Sequence, residues 1–348
     1  MKIAEIDKNF NVATNIMREG MVFYNVNATP FSIHGVYYDD GKYRRLPESV
    51  AKTVSKGVYE LHAHTAGGRV RFKTNSPYVA IHSVMTNAYK MPHFPFSGSC
   101  GFDLYVDGNF IKSFVPPYEI ETGYDSILET GSTEMHDILI NFPLYSDVCE
   151  LYVGLDEKAE IKAPDPYINE LPVIYYGSSI TQGGCASRPG ATYQAFVSRA
   201  LNLDYISLGF SGNAKAEDEI ADYIADLKMS VFVYDYDHNA PSNEHYKATH
   251  EKMFLKVREK NPDLPIIIMP RPNVRLGEIA VVRRRIAKRT YNNAIKRGDK
   301  NVYFIDGREL MALCGDEATV DFTHPTDLGF YSMSLAVGKK LKKILGIK

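Results

Sequence analysis

Four short stretches of this 348-residue chain hold the residue types that acyl transfer requires. Gly177-Ser178-Ser179-Ile180-Thr181-Gln182-Gly183 offers two adjacent hydroxyls, and Gly209-Phe210-Ser211-Gly212-Asn213 offers backbone donors beside glycine. Asp235-Tyr236-Asp237-His238-Asn239 carries a side-chain amide, and Asp321-Phe322-Thr323-His324-Pro325 places a carboxylate three residues before an imidazole. A serine hydroxyl is a weak nucleophile until a base removes its proton. His324 is suited to that task, and Asp321 to orienting the ring and stabilising its cation. The developing oxyanion needs donors in a dry site. The Ser179 N–H, the Gly212 N–H and the Asn239 amide would supply three. Taken singly, each stretch is equally well a serine-capped turn, a glycine turn or a loop before a helix. Their conjunction points to a hydrolytic site.

These stretches need elements to bring them together. After about residue 165 short apolar strands alternate with helices: Val173–Tyr176, Tyr205–Leu208, Val231–Tyr234, Pro265–Met269 and Val302–Ile305 are the expected strands. The helices between and after them fall near 192–201, 216–227, 245–259, 278–296 and 327–345. Five strands alternating with helices predict an α/β fold with a parallel sheet covered on both faces. Ligands in such folds sit at the carboxyl ends of the strands, which is where the four stretches fall. The first 165 residues read differently. Segments such as Val70–Thr74, Val79–Val84, Phe102–Gly108, His136–Phe142 and Cys149–Leu155 alternate apolar and polar side chains without helical periodicity. They predict an all-β sandwich or jelly roll with no clear helix. Lys162-Ala163-Pro164-Asp165-Pro166-Tyr167 reads as the linker, so residues 1–165 and 166–348 are expected to be two domains.

The second half resembles the SGNH/GDSL hydrolase family, whose four blocks supply Ser, Gly, Asn and His in that chain order. Here these are Ser179, Gly212, Asn239 and His324. The runs GSSITQGGCASRPG, which ends at Gly190, and LGFSGNA at 208–214 resemble a subgroup that carries a β-sandwich before the catalytic domain. SGSCGFDLYVDG at 97–108 is similar to part of that sandwich. The resemblance implies a five-stranded, flavodoxin-like three-layer SGNH domain. It selects Ser179 over Ser178 as nucleophile, with Asp321 and His324 completing the triad. Two departures stand out. The usual Gly-Asp-Ser reads Gly-Ser-Ser, and the usual Gly-x-Asn-Asp block reads Asp237-His238-Asn239-Ala240. The Gly-x-Ser-x-Gly elbow of α/β-hydrolases is excluded, because Thr181 stands where its second glycine would be.

Composition narrows the remaining classes. Forty basic against 42 acidic residues leave a net charge of −2, no footprint for nucleic acid. The dense basic run Arg283–Arg289 is expected to be a solvated helix face. Four cysteines without a C-x-x-C pair predict neither a zinc site nor a disulfide scaffold. No metal and no cofactor are expected. The opening Met1–Lys8 lacks the apolar run of a secretory signal, and no stretch of about 18 apolar residues exists to span a bilayer. These features predict a reduced, cytoplasmic protein without membrane contact. Homo-oligomerisation is left open.

The resulting expectation is a serine esterase acting through an acyl-enzyme on Ser179. The resemblance implies carbohydrate esters, acetyl above all, with a small-molecule or oligosaccharide substrate. A lipid or thioester acylhydrolase, an acyltransferase, and a carbohydrate-binding protein with a relic site are the rival readings. Arg188 and His238 are candidate substrate contacts, although Arg188 suits a loop brace and His238 a structural role equally well. His93-Phe94-Pro95-Phe96 is a candidate wall over the pocket. His62 and His64, alternating on a supposed strand, suit a surface or packed role better than a metal site.

Overall fold

The computed structural model describes residues 14–347 apart from Met17 and Leu276. The opening segment read as lacking a secretory signal lies outside the described residues. The parallel sheet has five strands: β1 (Val173–Gly177), β2 (Tyr205–Gly209), β3 (Val231–Asp235), β4 (Ile266–Ile268) and β5 (Val302–Phe304). Their spatial order is β2-β1-β3-β4-β5, and every pairing is parallel. Strand order therefore reverses beside β1, the switch point where such sheets open a crevice. Both faces are covered. Ile174 and Tyr176 of β1 enter one apolar cluster while Val173 and Tyr175 enter another. β3 divides in the same way, Phe232 and Tyr234 against Val231 and Val233. Alternate side chains of one strand thus fill two cores, so these strands read as unbroken apolar runs.

The longer helices of this half run Tyr193–Leu201, Asp218–Asp226, Asn243–Lys260, Glu278–Lys296 and Asp327–Ile344, within a few residues of the expected positions.

The earlier residues form two larger antiparallel sheets and a two-stranded one, Tyr37–Asp39 with Lys42–Arg44. One orders Met21–Asn25, Val148–Asp156, Tyr78–Met85 and Gly123–Glu129. The other orders Ile161–Lys162, Arg69–Thr74, His136–Asn141, Phe102–Val106 and Asn109–Phe114, with Ser32–His34 also paired to Arg69–Thr74. Val79, Ile81, Val153 and Leu155 of the first sheet share a core with Val70, Phe72, Leu104 and Ile140 of the second, which makes a sandwich.

The expectation of no helix here is corrected. Glu48–Val54, Lys56–Leu61 and Phe96–Ser99 are helical. Each is one or two turns long, too short for a 3.6-residue period to emerge from the sequence. Leu46, Ala51 and Val58 belong to the core of the parallel half, beside Ile220 and Ile224. His62 and His64, read as strand residues, follow the second of these helices and are buried.

Polar contacts also join the two halves. Arg45, 2% exposed, donates from Nη1 to the carbonyls of Ser207 (3.0 Å) and Gly209 (2.7 Å) at the tip of β2. Arg69 pairs with Asp204 and donates to Tyr205 O at 3.2 Å.

Candidate active site

The turn after β1 determines what each serine can do. Ser178 caps the one-turn helix Ser179–Gln182, its Oγ accepting from Ile180 N–H at 3.2 Å. That commitment buries Ser178 and takes its hydroxyl out of contention. Ser179 is the first residue of the turn, and its Oγ lies 2.8 Å from His324 Nε2. The turn packs hard against β2. A side chain at Gly209 would place its Cβ 2.1 Å from Gln182 N, so only glycine permits this approach.

The histidine is set by its own loop. Phe322 adopts φ +67, a left-handed conformation that bulky residues rarely take. This folds the chain back on Asp321, whose Oδ1 accepts from Thr323 N–H (3.0 Å) and His324 N–H (2.8 Å). Asp321 Oδ2 is then 2.7 Å from His324 Nδ1. A carboxylate only accepts, so Nδ1 carries the proton and Nε2 is free to accept from the serine hydroxyl. Partial burial works to raise the pKa of Asp321. The His324 backbone and ring outweigh it, and the carboxyl sits below its ordinary range. It therefore stays ionised and suited to stabilise an imidazolium.

The three candidate donors, Ser179 N–H, Gly212 N–H and the Asn239 amide, lie on the turns that follow β1, β2 and β3. Neither the Ser179 N–H nor the Gly212 N–H donates to a protein acceptor among the described residues. Asn239 Oδ1 accepts from Ala214 N–H at 3.2 Å, which fixes the amide and leaves its NH2 half free to donate. Two residues that the sequence did not single out hold these donors. Arg283 is 6% exposed, not the solvated residue expected of the basic run. Its guanidinium donates to Asp237 O and to Ala240 O (2.8 Å), clamping the turn on both sides of Asn239. Asp237 itself is fully buried against Arg271, with Nη2 2.7 Å from Oδ1. This ion pair occupies the place of the family's usual glycine.

Gln182 is the second. Its Oε1 accepts from Ser211 N–H at 2.9 Å, next to Gly212. Its Nε2 donates to Leu144 O (3.2 Å) and meets His64 Nδ1 at 3.1 Å. Burial keeps His64 neutral, its pKa pushed down to about 4, so Nδ1 can accept. The sandwich thus reaches the glycine turn through one amide. Gln182 lies inside the run quoted above, but no spacing in the sequence links it to His64.

Among the candidate contacts, Arg188 is committed to bracing. Nη1 is 3.4 Å from Asp327 Oδ2, Nε is 3.9 Å from Asp103 Oδ2, and the guanidinium lies 4.0 Å over the Phe110 ring. His238 is different. Its Nε2 is buried without a partner among the described residues, and burial beside Arg271 pushes its pKa down to about 3. It lines a cavity of about 410 Å³ together with Asn273, Arg275, Phe322 and Thr323. The stretch at 93–96 does approach the site. The His93 ring centroid is 5.8 Å from that of His324, and Phe94 packs edge-on to Tyr145 at 5.1 Å. Tyr145 Oη in turn lies 3.4 Å from Ser179 O.

A serine–histidine–carboxylate relay at the carboxyl ends of a β2-β1-β3-β4-β5 parallel sheet defines a flavodoxin-like SGNH hydrolase fold, here joined to a β-sandwich. The comparisons with known proteins agree. Residues 170–342 match the GDSL-like Lipase/Acylhydrolase family, and residues 21–161 match the N-terminus of Esterase_SGNH_hydro-type. A GDSL-like lipase candidate from Bacteroides ovatus is 30% identical, with a TM-score of 0.83 over 94% of this chain and 99% of that one. The chain belongs to the GDSL-like lipase/acylhydrolase family and is an ester-bond hydrolase. Two further structures share the fold. The salicylyl-acyltransferase SsfX3 of a tetracycline biosynthetic pathway is 19% identical, with a TM-score of 0.77 over 95% of this chain and 99% of that chain. A family two carbohydrate esterase from Clostridium thermocellum, solved with cellohexaose, is 15% identical with a TM-score of 0.64 over 91% and 99%. No curated protein matches the chain. No helix among the described residues is long and apolar enough to cross a membrane.

Proposed function

We propose that the protein is a serine esterase that removes small acyl groups, acetyl foremost, from carbohydrate esters. The observation that carries this is the Ser179–His324–Asp321 relay, with contacts of 2.8 and 2.7 Å, set against a wall from the sandwich. Ser179 Oγ attacks the ester carbonyl as His324 Nε2 takes its proton. The oxyanion is held by the Ser179 and Gly212 N–H groups and the Asn239 amide. The tetrahedral intermediate collapses, the C–O bond to the alcohol breaks, and His324 gives the proton to the departing oxygen. Water, losing a proton to the same nitrogen, then attacks the acyl-enzyme. The acid leaves and Ser179 recovers its proton.

Two features support the substrate class. Ser179 is only 6% exposed, with Tyr145 beside it and Phe94 packed on Tyr145, which favours a short acyl chain. The cavity at His238 has a mainly apolar wall with Asn273, Arg275 and Thr323 set into it, and the half-exposed Phe322 ring in its lining suits the apolar face of a sugar. The carbohydrate esterase with cellohexaose shares this fold. In this reading residues 1–165 position substrate and residues 166–348 perform the chemistry. A second reading, acyl transfer to an acceptor other than water, is favoured by the higher structural likeness to the salicylyl-acyltransferase.

The test is a p-nitrophenyl ester series with wild type and Ser179→Ala. Acetyl should be preferred over octanoyl by about tenfold or more, and the variant should lose at least ~10³-fold in kcat while remaining folded. Full activity in folded Ser179→Ala would overturn the mechanism. A preference for octanoyl would overturn the acetyl assignment. Acetylated product on an added sugar in excess of free acetate would select transfer.

A further inference from the structure

We propose that His93, Cys185 and His324 form a site for a thiophilic divalent cation, Zn2+ above all, whose occupancy switches the esterase off. This rests on the reading of His324 as the general base. One ring nitrogen from each histidine and the Cys185 Sγ all lie within 4.8 Å of one another. Two of the three residues come from the parallel half and one from the sandwich, so no ligand spacing in the sequence announces the cluster.

The donor set is that of a zinc site with three protein ligands and an open fourth position. Bond lengths of about 2.0–2.3 Å in a tetrahedron hold such donors roughly 3.3–3.6 Å apart. The site therefore closes by about 1 Å. His93 is exposed and supplies that movement by rotating, whereas Cys185 is fixed. Cys185 is buried and adopts φ +76, a left-handed conformation uncommon outside glycine. A strained residue beside the reacting groups is the kind of feature that persists at functional positions. His324 Nδ1 is held by Asp321, so Nε2 is the nitrogen available to a cation.

The balance is simple. The cation gains bonds to two imidazole nitrogens and one sulfur, with water in the fourth position. Cys185 releases its proton to solvent, since ligation requires the thiolate. Burial, with Asp321 nearby, pushes that thiol up to about 12, so metal and proton compete for the sulfur. Nothing is oxidised or reduced. The hydrogen bond from Ser179 Oγ to Nε2 is lost, and with it the base that activates the nucleophile.

Metal binding and activity are measured separately. Co2+ is added to the purified full chain and followed by absorption, where a thiolate ligand gives a sulfur-to-cobalt charge-transfer band. Zn2+ is then titrated into the esterase assay and reversed with EDTA. At ten times the dissociation constant, activity should fall about tenfold. Cys185→Ser should keep basal activity, lose the charge-transfer band and shift the inhibition curve at least tenfold. Should Cys185→Ser not fold, Cys185→Ala serves for the same readings. His93→Ala should weaken Co2+ binding by a similar factor. An unchanged band in the Cys185 variants, or identical Zn2+ inhibition in wild type and variant, overturns the proposal. Because the cobalt spectrum needs no turnover, a metal-binding chain without esterase activity would indict the function reading alone.

Discussion

Both halves of the molecule contain histidine–aspartate pairs of nearly the same geometry, yet only one of them is built into a relay. In the sandwich, His82 Nδ1 lies 2.6 Å from Asp125 Oδ1, and His136 Nδ1 lies 2.6 Å from Asp107 Oδ2. In the parallel half, His324 Nδ1 lies 2.7 Å from Asp321 Oδ2. The difference is at the other nitrogen. His136 Nε2 has no partner among the described residues, whereas His324 Nε2 meets the hydroxyl of Ser179. A cross-strand pair in an antiparallel sheet points to one face and ends there. A loop beyond a parallel sheet instead meets the tips of other strands. Topology, not the His–Asp pair, brings the third group.

The sharpest way to break that comparison is to remove the same carboxylate charge in each half. Asp321→Asn should lower kcat about 10⁴-fold, because the wrong imidazole tautomer is then favoured. Asp125→Asn should change it less than about twofold. Steady-state kinetics on p-nitrophenyl acetate with both folded variants decides the matter. Comparable losses in the two would mean that the sandwich pair shares in the chemistry.

A smaller effect probes the donors. Asn239→Ala removes a side-chain amide and leaves the relay intact, so kcat should fall about 10²–10³-fold with little change in KM. An unchanged kcat would remove Asn239 from the oxyanion site. The clamp from Arg283 shows why an asparagine in an unusual Asp-His-Asn-Ala block still holds its place. Two carbonyls flanking it are tied to one buried guanidinium.

How legible all this was in the sequence also divides between the halves. β1, β3 and β4 were legible because strands buried on both faces leave unbroken apolar runs. Ser179, Asp321 and His324 were legible because each follows or precedes such an element at a fixed block. Their meeting was an inference from topology, and the 2.8 and 2.7 Å contacts supply it. The sandwich was coarser. Asn109–Phe114 and Gly123–Glu129 were not picked out, and neither were the short helices of residues 48–61. Strands with one wet face and helices of two turns leave weak periodicity. Arg283 was hidden in plain view: five basic residues in a seven-residue run read as surface, and only packing shows that one of them turns inward. His64 and Gln182 sit more than a hundred residues apart, a pairing that only the interface creates.

The last comparison sets two buried carboxyls against each other. Asp103 in the sandwich is fully buried, but Asn141 Nδ2 (2.7 Å) and Gly190 N–H (2.7 Å) satisfy it. Asp235, at the tip of β3, accepts from Thr181 Oγ1 at 2.7 Å through one oxygen, while its other oxygen is buried without a partner among the described residues. Burial, despite the Thr181 bond and with Asp237 adding to it, pushes its pKa up to about 7. The native state therefore holds a proton that the unfolded chain releases near its ordinary 3.8. Between those values the native state binds more protons than the unfolded one, so stability falls as pH rises from about 4 to 7 and then levels. Taken in full the gap is worth ~4 kcal/mol, and water reaching the ionised group would reduce it to about 2 kcal/mol. Asp235→Asn, which keeps the shape without the titration, should flatten that slope and gain about 2 kcal/mol relative to wild type at pH 8 over pH 4. Urea unfolding of both proteins at the two pH values measures it. Parallel curves for wild type and Asp235→Asn would show that the proton is not held there, and Asp103→Asn should alter the slope less because its carboxylate already has partners.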